Sequence, residues 1–322
     1  MKRLICTGLC LLLLLAGGCG RLPGATRSGF ALDTVVSVTL YGTDDEALLD
    51  GCFALIREKE ALFSRTVPDS DVARINAAAG QPVTVTEETA ALLRTALIFC
   101  EASGGAFDVT VGALTQLWDF GADTPFLPAA DAVTTALATV SYAGLSVKGN
   151  TVTLVNKDAR LDLGGIAKGY IADCLRDYLT QHGVTSALLD LGGSITVLGD
   201  KQGKPFRIGI RAPDDADGLL GVVPVCGGSV VTSGDYERCR MVEGVRYHHL
   251  LDPATGYPAR TGLRSVSIIG PSAAVCDALS TACFVLGEEK ARLLLLAQPG
   301  YEAVFARNDG TVTHTDGLDW QS

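Results

Sequence analysis

The five residues Leu-Asp-Leu-Gly-Gly occur twice, at 161–165 and again at 189–193. Ile166–Leu175, after the first copy, reads as a helix, whereas Ser194–Gly199, after the second, reads as a strand. Only the first copy is therefore a strand, a glycine turn and a helix in succession. That arrangement aims free backbone N–H groups and the positive end of a helix at one point, which is anion-binding chemistry. Asp162 sits in an apolar strand, where a carboxylate needs partners. Gly164 and Gly165 let backbone approach a ligand closely. Lys168 stands in the first helical turn, a poor place for a cation unless an anion neutralises it. A plain glycine corner with Lys168 in solvent fits the same spacing.

Three other stretches carry reactive groups. In "CDALST", Asp277 and Thr281 are four apart on a predicted helix, so their oxygens share a face. A carboxylate with a hydroxyl suits Mg²⁺, which takes few protein ligands and completes its shell with water and phosphates. Taken alone, the simpler reading is Thr281 bonding back to the Asp277 carbonyl, with Asp277 favouring the helix dipole. In residues 233–260, His248 and His249 are adjacent, so on a strand they face opposite sides and cannot share one metal. One of them is a candidate general base near neutral pH, and a packed histidine is the alternative, more so for His248. In residues 104–121, glycines precede Phe107 and Asp108, and Trp118 follows. An aromatic and a carboxylate after a glycine turn suit a ring system with hydrogen-bonding edges, and equally a helix cap with a core aromatic.

The elements that hold these groups follow from periodicity. Residues 31–42 alternate as a strand, and 44–63 repeat Leu48, Leu49, Phe53, Ile56 and Leu62 as a helical stripe. Residues 86–105 form a second helix, with a threonine cap, early glutamates and a terminal glycine pair. Pro- and Ala-rich residues 127–144 predict short helices, and 146–156 a hairpin around Gly149-Asn150. A helix over 169–182 precedes strands and glycine turns from 184 to 233. A strand at 265–271, helices at 273–287 and 288–299, and a hairpin at 301–315 complete the chain. Antiparallel-looking strands with helices set among them predict an α+β fold.

Bulk properties bound the rest. The 322 residues, 48% hydrophobic and 19% charged, suffice for a substantial core. No run beyond the N-terminus is long and apolar enough to span a membrane. Lys2 and Arg3 precede an apolar run ending in Ala16-Gly17-Gly18-Cys19. This is a signal-peptide pattern that resembles a bacterial lipobox, with Ala16 where leucine is usual. The expected organisation is a signal peptide over 1–18, a lipid-bearing Cys19, a tether over 19–29 and one domain over 30–322. The mature protein is expected on the outer side of the cell membrane, held there by acyl chains. An ordinary secretory signal is the alternative. The formal charge of −10, with no basic run, gives no footing for nucleic acid. Any anionic ligand then needs local donors or a metal. Seven cysteines follow Cys19, an odd number with no zinc spacing, so buried thiols are expected rather than a disulfide framework.

Taken in order, seven stretches resemble the ApbE family of flavin transferases over about residues 30–305. They are "FSRTVPDSDVARIN" (63–76), "GAFDVTVGALTQLWDFG" (105–121), "LDLGGIAKGYIAD" (161–173), "LLDLGGSI" (188–195), "VVTSGDYER" (230–238), "YHHLLDPATGYPA" (247–259) and "CDALSTACFVLG" (276–287). The resemblance implies an ApbE-like α+β fold, a largely antiparallel sheet with helices packed around a flavin cleft. It also implies Mg²⁺-dependent transfer of FMN from FAD to a Ser or Thr hydroxyl of a partner protein, with release of AMP. Carried over by position, Leu32, Ala106, Phe107, Asp108, Asp162, Lys168 and Leu251 contact FAD. The backbone of Gly165, with Asp277 and Thr281, holds the metal. His249 is the candidate base, with Asp235 as rival. Two positions depart from the family pattern: Leu32-Asp33-Thr34 replaces a common Met-Gly-Thr, and Thr66 stands where an aromatic is frequent. The family's acceptor motif resembles Asp-x-x-Ser/Thr-Gly-Ala-Ser/Thr. This chain lacks it, so the acceptor is expected to be a partner, such as a membrane redox subunit. An Mg²⁺-dependent FAD pyrophosphatase and a non-catalytic flavin-binding lipoprotein are the competing readings.

Overall fold

The computed structural model describes residues 24–122 and 126–322. The expected signal peptide and lipid-bearing Cys19 lie outside the described residues.

In chain order, β1 (Gly24–Ala31) and β2 (Thr34–Tyr41) lead into α1 (Glu46–Phe63), α2 (Asp71–Ala77), β3 (Val83–Thr84) and α3 (Glu87–Ala102). Then come α4 (Gly112–Trp118), α5 (Ala130–Leu137), β4 (Leu145–Lys148), β5 (Thr151–Leu154) and α6 (Ala167–Gln181). The strands β6 (Ala187–Leu191), β7 (Ile195–Leu198), β8 (Phe206–Ala212), β9 (Asp215–Val225), β10 (Gly228–Gly234), β11 (Cys239–Val242), β12 (Val245–His248) and β13 (Leu263–Gly270) follow. The chain closes with α7 (Ala273–Leu286), α8 (Glu288–Leu296), β14 (Glu302–Arg307) and β15 (Val312–His314).

Eight strands form the main sheet in the order β1-β2-β6-β7-β10-β13-β14-β15, with antiparallel pairing throughout. Alternate side chains send it into two cores. Leu189, Leu191, Val231, Val266 and Ile268 join the helices in the large core. Leu188, Ile195, Val197, Val230 and Ile269 pack on the opposite face against Phe206, Ile208, Ile210, Val223 and Val225 of the β8–β9 hairpin. A third, small cluster joins Leu114, Trp118, Val133 and Leu251. The α+β class and the largely antiparallel sheet therefore match the sequence reading.

One boundary is corrected. Residues 24–29, assigned to the tether, belong to an edge strand, paired in register from Gly24↔Tyr41 to Ala31↔Thr34. The stretch "GATRSGFA" carries little apolar alternation of its own. Its partner β2 brings Val36, Val38 and Leu40, all fully buried, and so dictates the pairing. Between the two strands Leu32 and Asp33 both adopt left-handed backbone, φ 55° and 56°. That is the geometry of a two-residue hairpin turn, which asparagine or glycine usually fills. Holding two bulkier residues there costs about 1–2 kcal/mol each.

Among the described residues, no helix is long and apolar enough to cross a membrane. All seven described cysteines are free; Cys52, Cys100, Cys276 and Cys283 are buried, while Cys226 and Cys239 are exposed.

Candidate functional site

The site begins where α6 meets α7. Gly169, in the first turn of α6, lies so close to α7 that a methyl group there would collide with the Ala273 carbonyl. The approach brings the Gly169 N–H to Asp277 Oδ2, to which it donates at 3.0 Å. Gly169 is the third residue of α6, so its N–H is one of the leading amides that find no carbonyl partner within the helix. Gly165 lies before the helix, and no hydrogen bond of the described residues ends on its oxygen. The corner thus keeps an open carbonyl beside a buried carboxylate.

Thr281, one turn along α7 from Asp277, faces the same corner. A Cβ placed on Gly165 would lie 3.3 Å from Thr281 Oγ1 and 3.0 Å from Phe107 Cε2. Phe107, Gly165 and Thr281 are therefore neighbours although widely separated in sequence. Thr281 does not bond back to the Asp277 carbonyl; Ser280 Oγ does so, at 2.9 Å. The Thr281 hydroxyl instead sits 3.3 Å from Ser233 Oγ of β10. Ser233 is a neighbour that the sequence reading passed over.

Burial pushes the pKa of Asp277 up, and the nearby Lys168 ammonium and the Gly169 amide pull the other way. No cluster of three or more His, Cys, Asp or Glu forms among the described residues. A divalent ion here would rest on one carboxylate, one hydroxyl and one carbonyl. Such a hard-oxygen set fits Mg²⁺, which retains water and phosphate ligands, and does not fit zinc.

Asp162 pins the corner from within. Its Oδ1 accepts the Gly164 N–H at 2.8 Å, and its Oδ2 pairs with Arg65 Nε at 3.3 Å. Arg65 lies in the first of the ordered motifs, yet its charge carried no role in the sequence reading. Asp108 is spent internally. Its Oδ1 accepts from the Thr110 N–H at 2.7 Å and the Thr110 hydroxyl at 2.6 Å, and its Oδ2 from the Tyr142 N–H at 2.9 Å. Burial raises its pKa while these bonds oppose the rise. The Asp108 carboxylate therefore shapes the loop, in which Ser103 Oγ receives the Phe107 N–H and the Ala106 N–H bonds the Ser103 carbonyl. Trp118 is a core aromatic, fully buried and donating to the Gly256 carbonyl at 2.8 Å.

The two histidines have different surroundings, with His248 ending β12 and His249 just beyond it. His248 is packed: its Nε2 bonds the Ala259 carbonyl at 3.1 Å and its ring lies edge-on to Phe284. His249 is half-buried at its surface, but its Nδ1 is enclosed and has no partner. Burial, followed by the charges of Arg238, His248 and Lys168, lowers its pKa to about 3, so the ring is neutral at pH 7. The rival base, Asp235, is clasped by Arg264 Nε at 3.0 Å on both oxygens and by Arg246 at 3.0 Å. Those two guanidiniums hold Asp235 in ion pairs that a base would have to give up.

Leu32 and Leu251 lie on other elements. The Leu32 N–H donates to Glu60 Oε1 at 3.1 Å at the β1–β2 turn. Leu251 is buried in the Trp118 cluster and bridges to Pro258. A cavity of about 460 Å³ opens near it, lined by Tyr247, Asp252, Thr255, Tyr257, Pro258 and Arg260.

Comparison with known proteins matches the ApbE family over residues 32–305. The FAD:protein FMN transferase of Treponema pallidum is 41% identical over 324 residues, covering 94% of this chain and 90% of the relative. One from Klebsiella pneumoniae is 37% identical, covering 86% and 87% respectively. Among solved structures, the ApbE protein of Thermotoga maritima superposes with a TM-score of 0.85 at 34% identity, covering 92% of this chain and 98% of that one. The flavin transferase ApbE of Vibrio cholerae gives 0.83 at 27% identity, covering 94% and 98%.

Proposed function

The chain belongs to the ApbE family and, like its curated relatives, is an FAD:protein FMN transferase; we propose that it moves FMN onto a Ser or Thr hydroxyl of an acceptor protein and releases AMP, with Mg²⁺ as cofactor. The observation that carries the metal is the open donor set at the glycine corner: the unbonded Gly165 carbonyl, the buried Asp277 carboxylate and the Thr281 hydroxyl.

In this reading, Asp277, Thr281 and the Gly165 oxygen hold the ion. When bound, Mg²⁺ offsets the pyrophosphate charge and polarises phosphorus. Lys168 adds a fixed positive charge beside the phosphates, which an acidic protein needs because its overall field repels them. Phe107 supplies an aromatic edge at the corner for the flavin ring. His249, neutral at pH 7, accepts the proton of the attacking hydroxyl at its imidazole. The hydroxyl oxygen bonds the FMN phosphorus, the bond from that phosphorus to the AMP oxygen breaks, and AMP departs. In-line transfer of this kind needs positioning and charge stabilisation more than covalent help.

We further read Cys19 as lipidated, which holds the enzyme on the outer side of the cell membrane. The basic start, apolar run and small residues before Cys19 support this. The acceptor is then a protein bearing an Asp-x-x-Ser/Thr-Gly-Ala-Ser/Thr-like segment at the same surface.

The test is incubation with FAD, Mg²⁺ and a domain carrying that segment. Covalent flavin in the acceptor with stoichiometric AMP is expected. Free FMN with unmodified acceptor marks a pyrophosphatase, and tight FAD binding without AMP marks a flavin-binding lipoprotein.

A further inference from the structure

The last residue of the "LDLGGIAKGYIAD" stretch, Asp173, touches none of the groups assigned to substrate or metal. Its carboxylate reaches across to the start of α7. Oδ2 accepts from the Ser272 hydroxyl at 2.7 Å and the Ala274 N–H at 3.0 Å; Oδ1 accepts from the Ala273 N–H at 2.9 Å. The first N–H groups of a helix have no partners within it. In α7, two of them are satisfied by a side chain of α6, while Ser272 caps Val275 at 3.4 Å. Arg176, one turn on from Asp173, pairs with Asp173 Oδ1 at 3.0 Å and donates to the Pro271 carbonyl at 2.6 Å.

The exchange is reciprocal. Asp173 of α6 receives the leading amides of α7, and Asp277 of α7 receives the Gly169 amide from the first turn of α6. Gly169 precedes Asp173 by four residues and Ala273 precedes Asp277 by four, and Gly169 removes the side chain that would hold the helices apart. This crossed clamp keeps the Gly169 N–H on Asp277 and so fixes that carboxylate at the glycine corner. Once the helices part, the Asp277 carboxylate loses the one hydrogen bond it accepts among the described residues and is no longer held at the corner.

We propose that Asp173 is a positioning residue for the divalent-ion site, setting the affinity for Mg²⁺ through the α6–α7 clamp without contacting the ion. The inference rests on the reading of Gly165, Asp277 and Thr281 as the metal-holding set.

The experiment is calorimetric titration of the full-length protein with MgCl₂, paired with turnover against Mg²⁺ concentration, for wild type, Asp173→Asn and Ser272→Ala. The asparagine retains one acceptor oxygen and the shape of the side chain. Ser272→Ala removes one bond to the same carboxylate and serves if Asp173→Asn does not fold. Loss of an outer partner of a metal ligand weakens metal affinity about 10–100-fold. Folded variants are expected to bind Mg²⁺ in that weaker range and to recover wild-type kcat at saturating Mg²⁺. A role confined to stability lowers the melting temperature and leaves the Mg²⁺ titration unchanged. Folded variants with Mg²⁺ affinity within about twofold of wild type overturn the proposal. Wild type that binds no Mg²⁺ overturns the metal reading on which it rests.

Discussion

Asp277 is a carboxylate that the fold buries at a cost. Its pKa in the folded chain lies above the ordinary carboxylate value, because burial disfavours the charge more than Lys168 and the Gly169 amide restore it. A raised carboxylate pKa stabilises the fold at pH values below the unfolded pKa. That contribution is lost as pH rises through the folded pKa, so burying Asp277 costs stability at pH 7, where its unfolded counterpart is ionised. Asp277→Asn, which still accepts from Gly169, is therefore expected to raise the melting temperature at pH 7 without divalent ions and to give no gain near pH 3. It is also expected to cut Mg²⁺-dependent transfer by at least about 100-fold. Thermal melts at the two pH values, with the transfer assay, check both halves. His249 yields a second prediction at this scale. With its pKa at about 3 in the free protein, the acid limb of kcat/KM should lie below about pH 5. Bound phosphates favour the imidazolium, so the limb of kcat should lie higher. A kcat/KM limb near 6.5 contradicts a buried, neutral base.

The two helices that carry these groups are joined through Gly169. Gly169→Ala drives a methyl into the Ala273 carbonyl, and neither backbone has room to yield. The expected loss is about 1–3 kcal/mol of stability, read from urea midpoints, with weakened Mg²⁺ binding in whatever fraction folds. At the level of elements the sequence is uneven evidence. The helical spacing of Asp277 and Thr281 and the glycine corner at Gly164-Gly165 were legible because both depend on local periodicity. The cap by Asp173 on α7 was not, since its donors lie about a hundred residues downstream. The strand β1 was hidden because Val36, Val38 and Leu40 of its neighbour supply the burial. The three internal bonds on Asp108 were equally unreadable, because one of them comes from Tyr142, brought near only by the folded loop. Arg65 carried no role in the sequence because its partner Asp162 lies far along the chain, and only the fold sets the two together.

On the scale of the molecule, a single sheet carries helices on one face and the β8–β9 hairpin on the other, and the site lies where two of those helices start. The correction at β1 shortens the link to the proposed lipid. From Cys19 to Gly24, a fully extended chain spans at most about 18 Å. Were Cys19 lipidated, the domain would sit against the membrane and the acceptor hydroxyl would have to come to that surface. Mass spectrometry of the mature N-terminus is expected to find lipid on Cys19, and Cys19→Ala to shift the protein to the soluble fraction with FMN transfer intact. Release of the unsubstituted protein by salt, with an unmodified Cys19, contradicts the anchor. The most direct measurement concerns the ion: a crystal soaked with FAD and Mn²⁺, read by anomalous scattering. Predicted is one peak about 2–2.5 Å from an Asp277 carboxylate oxygen, Thr281 Oγ1 and the Gly165 carbonyl, shared with the pyrophosphate. FAD bound with no peak at that corner, or with the metal on other residues, contradicts the proposed chemistry.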